Sequence, residues 1–447
     1  METNASIINQ KWRLCTFLSL SGCLILVLCI KYQYNIIPSQ SSFQSIRTVT
    51  GTATTTLTIS EDFVNTTTSM HYNGSEHQNV SGSVFVAAYN GTDDDDQWLP
   101  LKELKTECNI YDGRWVYDPN TSPRYNASQC PFLSDQVSCQ RNGRPDSDYE
   151  NWRWEANDCK IPSWNGKEIL EKLRGKRMVI VGDSLNRNQW ESLSCLLYSS
   201  IPSARALIDI RNGRHMIFKA KDYNCSVEFY WSPFLVELDN TRPNNVKLLN
   251  LDTLSATSVQ WLGDDVMVFN TGHWWTHRGK LQAWDAFQQE GMVVQNLEAE
   301  TAFGMAMNDM GLLDRSKQRL RFEQCKSEPY HVCLKCREQW CYNQTQTIKD
   351  DSYISSFPRS IIEIVEKTIG EMRTPVKYLN ITKLSQYRKD AHPTVYTSKQ
   401  GRLLTKEQRE KPQEYADCNH WCLPGLPDTW NSLLFTSISM EASRNIS

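Results

Sequence analysis

The sequence predicts an α/β fold with a parallel sheet and right-handed crossovers, and three observations support this. Short runs of β-branched and aromatic residues alternate with longer segments of helical periodicity, as in strand–helix–strand units. The run Lys176–Val181 ends in four consecutive apolar residues, as in a strand that is buried on both faces. Ser184 follows this strand, at the edge where parallel sheets collect their functional groups.

The remaining elements follow from the same periodicities, and the chain of 447 residues shows no internal repeat. The predicted elements are, in chain order, the strand Lys176–Val181, the helix Gln189–Leu197, the strands Val227–Tyr230, Lys247–Leu251 and Val266–Phe269, a long helical stretch over Gln282–Met310, the amphipathic helix Arg359–Arg373 and the strand Val376–Asn380.

The N-terminal part of the chain carries an apolar run of nineteen residues, Trp12–Ile30, with a single charge at Arg13. That length suits a helix that spans a bilayer. A cleaved signal peptide is the alternative, but no small-x-small cleavage site follows the run. We therefore expect a cytosolic tail over residues 1–11, a signal-anchor helix over 12–30, and a flexible, Ser/Thr-rich stem over 31–107.

The globular part is expected to comprise a Cys/Trp-rich, loop-rich subdomain over residues 108–165 and a catalytic domain over 166–447. Of the 15 cysteines, three lie in the apolar run and twelve follow it, which favours disulfides in an oxidising compartment. A zinc site at His331, Cys333, Cys336 and Cys341 is the less favoured interpretation.

Sequons agree with a lumenal location, because N-glycosylation takes place there. The candidate asparagines are Asn65, Asn73, Asn79, Asn90, Asn120, Asn126, Asn224, Asn343, Asn380 and Asn445. The net charge of −3 gives no indication of nucleic acid as a partner. The chain has no Walker, Gly-x-Gly-x-x-Gly or His-Glu-x-x-His motif, and we expect no bound metal or cofactor.

Three residues could form a nucleophile–base–acid triad, in the chain order Ser184, Asp417, His420. A serine hydroxyl keeps its proton at neutral pH, so a histidine must accept that proton and a carboxylate must orient the histidine. The alternatives stay open at this point. Ser184 could merely cap the following helix, and the pair Asp390 and His392 could supply the base instead.

Acyl transfer also needs hydrogen-bond donors for the oxyanion that develops. The backbone amides of Ser184 and Leu185 are candidates, and Asn270 is a third because it follows a predicted strand. The substrate-binding candidates are Arg187, Asn188, Trp274, Trp275, Asp390 and His392, with Arg144, Trp152 and Trp154 as further groove residues that packing explains equally well.

Two sequence runs resemble the plant trichome birefringence-like family: Val-Gly-Asp-Ser-Leu-Asn-Arg-Asn-Gln-Trp-Glu-Ser-Leu from Val181, and Asp-Cys-Asn-His-Trp-Cys-Leu-Pro-Gly-Leu-Pro-Asp-Thr-Trp-Asn from Asp417. Asn142–Asp146, Trp152–Trp154 and Tyr387–Tyr396 resemble it too. The resemblance implies an SGNH/GDSL-like three-layer fold with helices on both faces of the sheet. It also implies an acetylated serine at Ser184, with Asp417 and His420 completing the triad. It further implies an oxyanion glycine, for which Gly213 has roughly the right spacing and no other matching feature.

The resemblance further implies a single-pass type II Golgi membrane protein that O-acetylates a cell-wall polysaccharide, such as xylan or another hemicellulose. Its partners would be the polysaccharide acceptor and an acetyl donor, either acetyl-CoA or another carrier. Two rival functions share the same residues. One is a polysaccharide acetyl esterase, in which water takes the acetyl group. The other is a non-catalytic protein that binds wall glycans such as pectin.

Overall fold

A seven-stranded sheet forms the centre of the molecule. The computed structural model describes residues 108–120, 123–211, 213–261, 264–312, 320–323, 340–349, 358–372 and 376–444. The strands are β1 (Gly113–Tyr117), β2 (Trp152–Ala156), β3 (Arg177–Gly182), β4 (Ala206–Arg211), β5 (His215–Ala220), β6 (Cys225–Trp231), β7 (Val236–Asp239), β8 (Leu248–Leu254), β9 (Val266–Asn270), β10 (Ala286–Gln289), β11 (Met292–Val294), β12 (Leu320–Glu323), β13 (Lys377–Leu379), β14 (Ser398–Lys399) and β15 (Arg402–Leu403). The helices are α1 (Gly166–Lys172), α2 (Ser184–Tyr198), α3 (Ser258–Trp261), α4 (Ala299–Leu312), α5 (Arg359–Glu371), α6 (Thr382–Gln386), α7 (Lys406–Arg409), α8 (Pro412–Tyr415) and α9 (Leu426–Arg444).

The central sheet is mixed, whereas the sequence predicts a parallel one. Its order is β13-β12-β9-β3-β6-β5-β4, and the first five of these strands run parallel. Strands β5 and β4 are antiparallel to their neighbours. Short turns join β4 to β5 and β5 to β6, and a short connection can only return the chain in the opposite direction. The α/β class is thus confirmed, with an antiparallel edge added.

Strand β3 lies in the middle of the sheet and is buried on both faces. Val179 and Val181 pack into one hydrophobic cluster with residues of α4 and α5. Met178 and Ile180, which point the other way, pack into a second cluster with residues of α1, α2 and α9. Helices therefore cover both faces, and β3 holds Ser184 on a strand that packing makes rigid.

The predicted helix over Gln282–Met310 is wrong in its first half. Helix α4 begins only at Ala299, and residues 286–294 form the hairpin β10–β11. Glu290 and Gly291 turn this hairpin with positive φ values of 50° and 74°, as in tight two-residue turns. Strand β10 also pairs with β8 in a second sheet, of order β11-β10-β8-β7. Pairing with a distant strand overrides the local helical preference of this segment.

Disulfides tie the cysteine-rich segment to the rest of the molecule. Within the described residues the pairs are Cys108–Cys159, Cys130–Cys195, Cys139–Cys422 and Cys341–Cys418, and Cys225 is a buried free thiol. This confirms the prediction of disulfides and assigns Cys341 to one of them. The other residues of the alternative zinc cluster, His331, Cys333 and Cys336, lie outside the described residues.

The predicted tail, anchor and stem, residues 1–107, lie outside the described residues, as do Asn65, Asn73, Asn79, Asn90 and Asn445. Among the helices of the described ranges, none combines the length and the apolar character that crossing a bilayer requires. The remaining sequons occupy exposed positions; they are Asn120, Asn126, Asn224, Asn343 and Asn380.

Candidate active site

Ser184 is the first residue of α2 and follows β3 after a single linking residue, Asp183. Asp183, and not Ser184, caps the helix, because its Oδ1 accepts a hydrogen bond of 2.9 Å from the amide of Leu185. Burial raises the pKa of Asp183 to about 6, against the opposing effects of this bond and of the charge on His420. Ser184 itself is half-buried, and the alternative that it caps the helix is excluded because Asp183 is the cap.

Asp417 and His420 form the predicted carboxylate–imidazole pair. His420 Nδ1 lies 2.8 Å from Asp417 Oδ2, and the amides of Asn419 and His420 donate to Oδ1 at 3.0 and 3.1 Å. Burial acts to raise the pKa of Asp417, but the charge of His420 and these hydrogen bonds outweigh it and hold the pKa well below its usual range. An ionised Asp417 fixes the proton of His420 on Nδ1, which leaves Nε2 as the basic nitrogen.

The beginning of α2 and the His420 loop are held together by Asn188. Its Oδ1 accepts from the amide of Trp421 at 2.9 Å, and its Nδ2 donates to the carbonyl of Trp421 at 3.2 Å. Asn188 is one turn after Ser184 on the same helix face, and Trp421 is the neighbour of His420. These two bonds tie the helix that begins at Ser184 to the loop that carries His420. Within the described residues, the buried His420 Nε2 has no hydrogen-bond partner.

Gln136 is a member of this site that sequence reasoning missed. Its Nε2 lies 3.2 Å from Asp417 Oδ2 and 3.1 Å from His420 Nδ1, and its Oε1 accepts a hydrogen bond from Arg187. Arg187, a predicted substrate-binding residue, also pairs with the buried Glu191 at 3.5 Å. No local motif marks Gln136, which lies 281 residues before Asp417 in the sequence.

Asn270, the predicted oxyanion residue, stands beside β3, the strand that leads to Ser184. It is the register partner of Gly182 in the β3–β9 pair and is fully buried, and neither its Nδ2 nor its Oδ1 has a partner among the described residues. A Cβ at Gly182 would collide with the Asn270 carbonyl oxygen, so the close approach requires glycine. The other candidates are less suitable. The Leu185 amide donates to Asp183, and Gly213 lies in the β4–β5 turn, two strands away from β3.

The two predicted tryptophans lie in different environments. Trp275 is fully buried in the core, where its Nε1 donates to Thr271, so its ring is closed to a sugar. Trp274 is half-buried and contacts Trp231 edge-to-face, with ring centroids 5.5 Å apart. Trp231 ends β6 and Trp274 follows β9, the strands on either side of β3. Trp231 is the register partner of Gly182, so the ring pair lies at the end of β3, and Ser184 follows Gly182 by two residues.

Asp390 and His392, the second predicted Asp–His pair, lie among the residues that hold the His420 loop. Asp390 forms a fully buried ion pair with Arg388 at 3.0 Å. His392 donates from Nδ1 to the carbonyl of His420 at 2.7 Å, and its ring packs on Trp421. The predicted groove residue Arg144 is also buried and donates to the carbonyls of Asp390 and His392 at 2.7 and 3.0 Å. These contacts hold the loop that carries His420.

The chain is similar in sequence to two protein families and to several plant proteins. Residues 161–437 match the PC-Esterase family, described as a GDSL/SGNH-like acyl-esterase family found in Pmr5 and Cas1p, and residues 106–160 match the PMR5 N-terminal domain. The chain is 38% identical to trichome birefringence-like protein 3 of Arabidopsis thaliana, over 74% of this chain and 79% of that protein. It is 38% identical to probable xylan O-acetyltransferase 10 of Oryza sativa subsp. japonica, over 74% and 78% of the two chains. It is also 38% identical to xylan O-acetyltransferase 6 of the same species, over 74% and 62%.

Proposed function

The chain belongs to the GDSL/SGNH-like PC-Esterase family together with its trichome birefringence-like relatives, and from this premise we propose that it is a polysaccharide O-acetyltransferase. The acceptor in this proposal is a plant cell-wall polysaccharide, xylan or another hemicellulose. The rice relatives named as xylan O-acetyltransferases support the choice of reaction and of acceptor class. The observation that carries the proposal is the pair of an ionised Asp417 and a His420 whose Nε2 is unpartnered within the described residues, on a loop that Asn188 ties to the helix beginning at Ser184.

The proposed reaction is a double displacement. His420 Nε2 accepts the proton of Ser184 as the hydroxyl oxygen attacks the acetyl carbonyl of the donor. The tetrahedral intermediate collapses to acetyl-Ser184, and His420 returns the proton to the departing carrier. A sugar hydroxyl then loses its proton to His420 and attacks the acetyl-serine, which forms the polysaccharide ester and restores Ser184. Asp417 stays ionised throughout the reaction and holds the imidazole in the tautomer with its proton on Nδ1, which both steps require.

Asn270 and the aromatic pair give the proposal its binding groups. Asn270 Nδ2 is a buried donor without a partner among the described residues, which is what an oxyanion requires. The half-buried Trp231 and Trp274 at the end of β3 supply the aromatic surface on which a sugar ring of the acceptor stacks in this proposal. A bound sugar hydroxyl has a high effective concentration at acetyl-Ser184, and this favours transfer over hydrolysis.

The cellular setting is part of the proposal. Four disulfides and five exposed sequons support an oxidising lumen for residues 108–447. We place the chain in the Golgi membrane, anchored by the apolar run over residues 12–30, with its catalytic domain in the lumen. The acetyl donor is acetyl-CoA or another acetyl carrier.

The test uses the purified full-length chain, an acetyl donor and deacetylated oligomers of xylan, glucomannan, xyloglucan and pectin, with added acetyl groups read by mass spectrometry. We expect transfer to a hemicellulose oligomer, and its loss in Ser184→Ala and His420→Ala at an unchanged melting temperature. Ser203→Ala, an exposed serine on a short helical turn, is the matched control and should keep full activity. Release of acetate without transfer would establish the esterase instead. Glycan binding that persists with no acetyl chemistry in any variant would establish the binding protein.

A further inference from the structure

Gln136 links a positive charge to the catalytic pair. Arg187 donates to its Oε1, and its Nε2 faces the Asp417–His420 pair at 3.2 and 3.1 Å. These partners fix the orientation of the amide, because a guanidinium only donates and a carboxylate only accepts. The Gln136 oxygen must therefore face Arg187, and the nitrogen must face Asp417. The side-chain amide of Gln136 thus accepts from Arg187 at one end and donates an N–H to Asp417 at the other.

The donor from Gln136 completes the hydrogen bonding of one carboxylate oxygen. Asp417 Oδ1 accepts from two backbone amides and lies 3.1 Å from His420 Nδ1, whereas Oδ2 accepts from His420 Nδ1 at 2.8 Å and from Gln136 Nε2. A carboxylate held at both oxygens has one orientation, and the imidazole must follow it. His420 donates its Nδ1 hydrogen to Asp417, and the Gln136 nitrogen beside Nδ1 is itself a donor that offers the ring no further acceptor.

Hydrogen bonds and a disulfide fix the segment that carries Gln136 beside α2 and the His420 loop. Ser134 donates from its amide and its hydroxyl to Glu191 on α2, at 3.0 and 3.1 Å. Thr397 donates to the carbonyl of Gln136 at 2.9 Å. The disulfide Cys139–Cys422 then joins the same segment to the His420 loop. All these restraints act on residues of the region that matches the PMR5 N-terminal domain.

We propose that Gln136 is a positioning residue of acyl transfer, through which the N-terminal domain completes the catalytic site. It holds Asp417 and, through Asp417, the His420 tautomer that leaves Nε2 free to accept the Ser184 proton. The inference rests on the proposed role of Ser184 as nucleophile. The charged groups that face this network are Arg187 and Glu191 from α2, Asp183 from the end of β3, and Asp417.

The test measures how fast a fluorophosphonate probe labels Ser184 in the full-length chain, as a function of pH, with the labelled residue located by mass spectrometry. This readout needs neither the acetyl donor nor the acceptor. Gln136→Leu removes both hydrogen bonds, and we expect the labelling rate to fall about ten-fold, the loss that corresponds to one hydrogen bond to a charged group. Gln136→Glu keeps a partner for Arg187 but places a negative charge beside the imidazole. We expect the acid limb of its pH–rate profile to move to higher pH by about half a unit or more.

Gln129→Leu and Gln129→Glu are the matched controls, because Gln129 is an exposed glutamine of the same domain. They should leave the rate and the profile unchanged. Wild-type labelling kinetics and an unshifted profile in both Gln136 variants, at wild-type melting temperature, would overturn the proposal. An unshifted Gln136→Glu profile would also do so if Gln136→Leu failed to fold. Normal labelling of Ser184 without acetyl transfer to any polysaccharide would instead overturn the proposed function and leave the role of Gln136 standing.

Discussion

Asp417→Asn is the substitution whose outcome the structure defines most sharply, because the shape of the side chain is kept while its negative charge is lost and one of its two acceptors becomes a donor. The amides of Asn419 and His420 both donate to Oδ1, so the new carboxamide must place its oxygen there. Its NH2 group then takes the place of Oδ2. That position faces His420 Nδ1 at 2.8 Å and Gln136 Nε2 at 3.2 Å.

The new NH2 group cannot accept the proton of Nδ1. The carboxamide oxygen lies farther from Nδ1, at 3.1 Å, and already accepts from two backbone amides, so we expect His420 to carry its proton on Nε2 instead. The proton then points toward Ser184, and the imidazole can no longer act as the base. In serine hydrolases the same change of tautomer lowers kcat by about 10⁴-fold. We expect a loss of that order here, with KM for the acceptor nearly unchanged because Asp417 is buried behind His420.

The assay is acetyl transfer to oligosaccharide at pH 7, with urea unfolding as the control for folding. The depressed pKa of Asp417 contributes stability that is present above its unfolded pKa of about 3.9 and is lost as the pH falls through the lower folded pKa. Asp417→Asn should therefore be less stable than wild type at pH 7, and it should lack this acid-dependent loss. Activity within ten-fold of wild type would refute the tautomer argument.

Two further predictions concern the supports of the site. Asn188→Ala leaves the buried amide and carbonyl of Trp421 without their partner. The free energy of unfolding in urea should therefore fall by about 2–5 kcal/mol. A loss below about 0.5 kcal/mol would contradict the role of Asn188. Burial raises the pKa of Asp428 to about 6, although the hydrogen bond from Ser192 acts in the opposite direction. The protonated Asp428 therefore stabilises the fold fully below about pH 3.9, and this stabilisation is lost as the pH rises through about 6. Asp428→Asn should flatten this fall in urea-unfolding free energy between pH 4 and 7, and an unchanged slope would show that other groups cause it.

The parts of the site that local sequence encodes were predictable. The strand β3 is apolar because both its faces are buried, and this run locates Ser184 at its end. The three-residue spacing of Asp417 and His420 lets one loop hold both. Asn270 was predicted because it ends a β-branched strand, and the structure places it beside Gly182. In each case the signal lies within a few residues of the group itself.

The missed features depend on pairs of residues that are far apart in the chain. Gln136 meets Asp417 through a contact that spans 281 residues, and nothing in its neighbourhood distinguishes it from an exposed glutamine. Trp231 gains its place beside Ser184 only from the order of β6, β3 and β9 in the sheet. The hairpin over residues 286–294 depends on its pairing with β8. Such contacts need the folded topology, which residue periodicity does not contain.

The Asp417–His420 pair lies on a loop rather than on a strand or helix, so the precise placement that its proposed role needs must come from cross-links. Cys418 and Cys422 flank His420, and each forms a disulfide to a different segment, through Cys341 and Cys139. The Asn188 bonds and the His392 bond fix the backbone between these cysteines. The restraints come from four regions of sequence, one of them in the N-terminal domain. It follows that this domain and the catalytic domain form one functional unit, because removing the former would take away both Cys139 and Gln136.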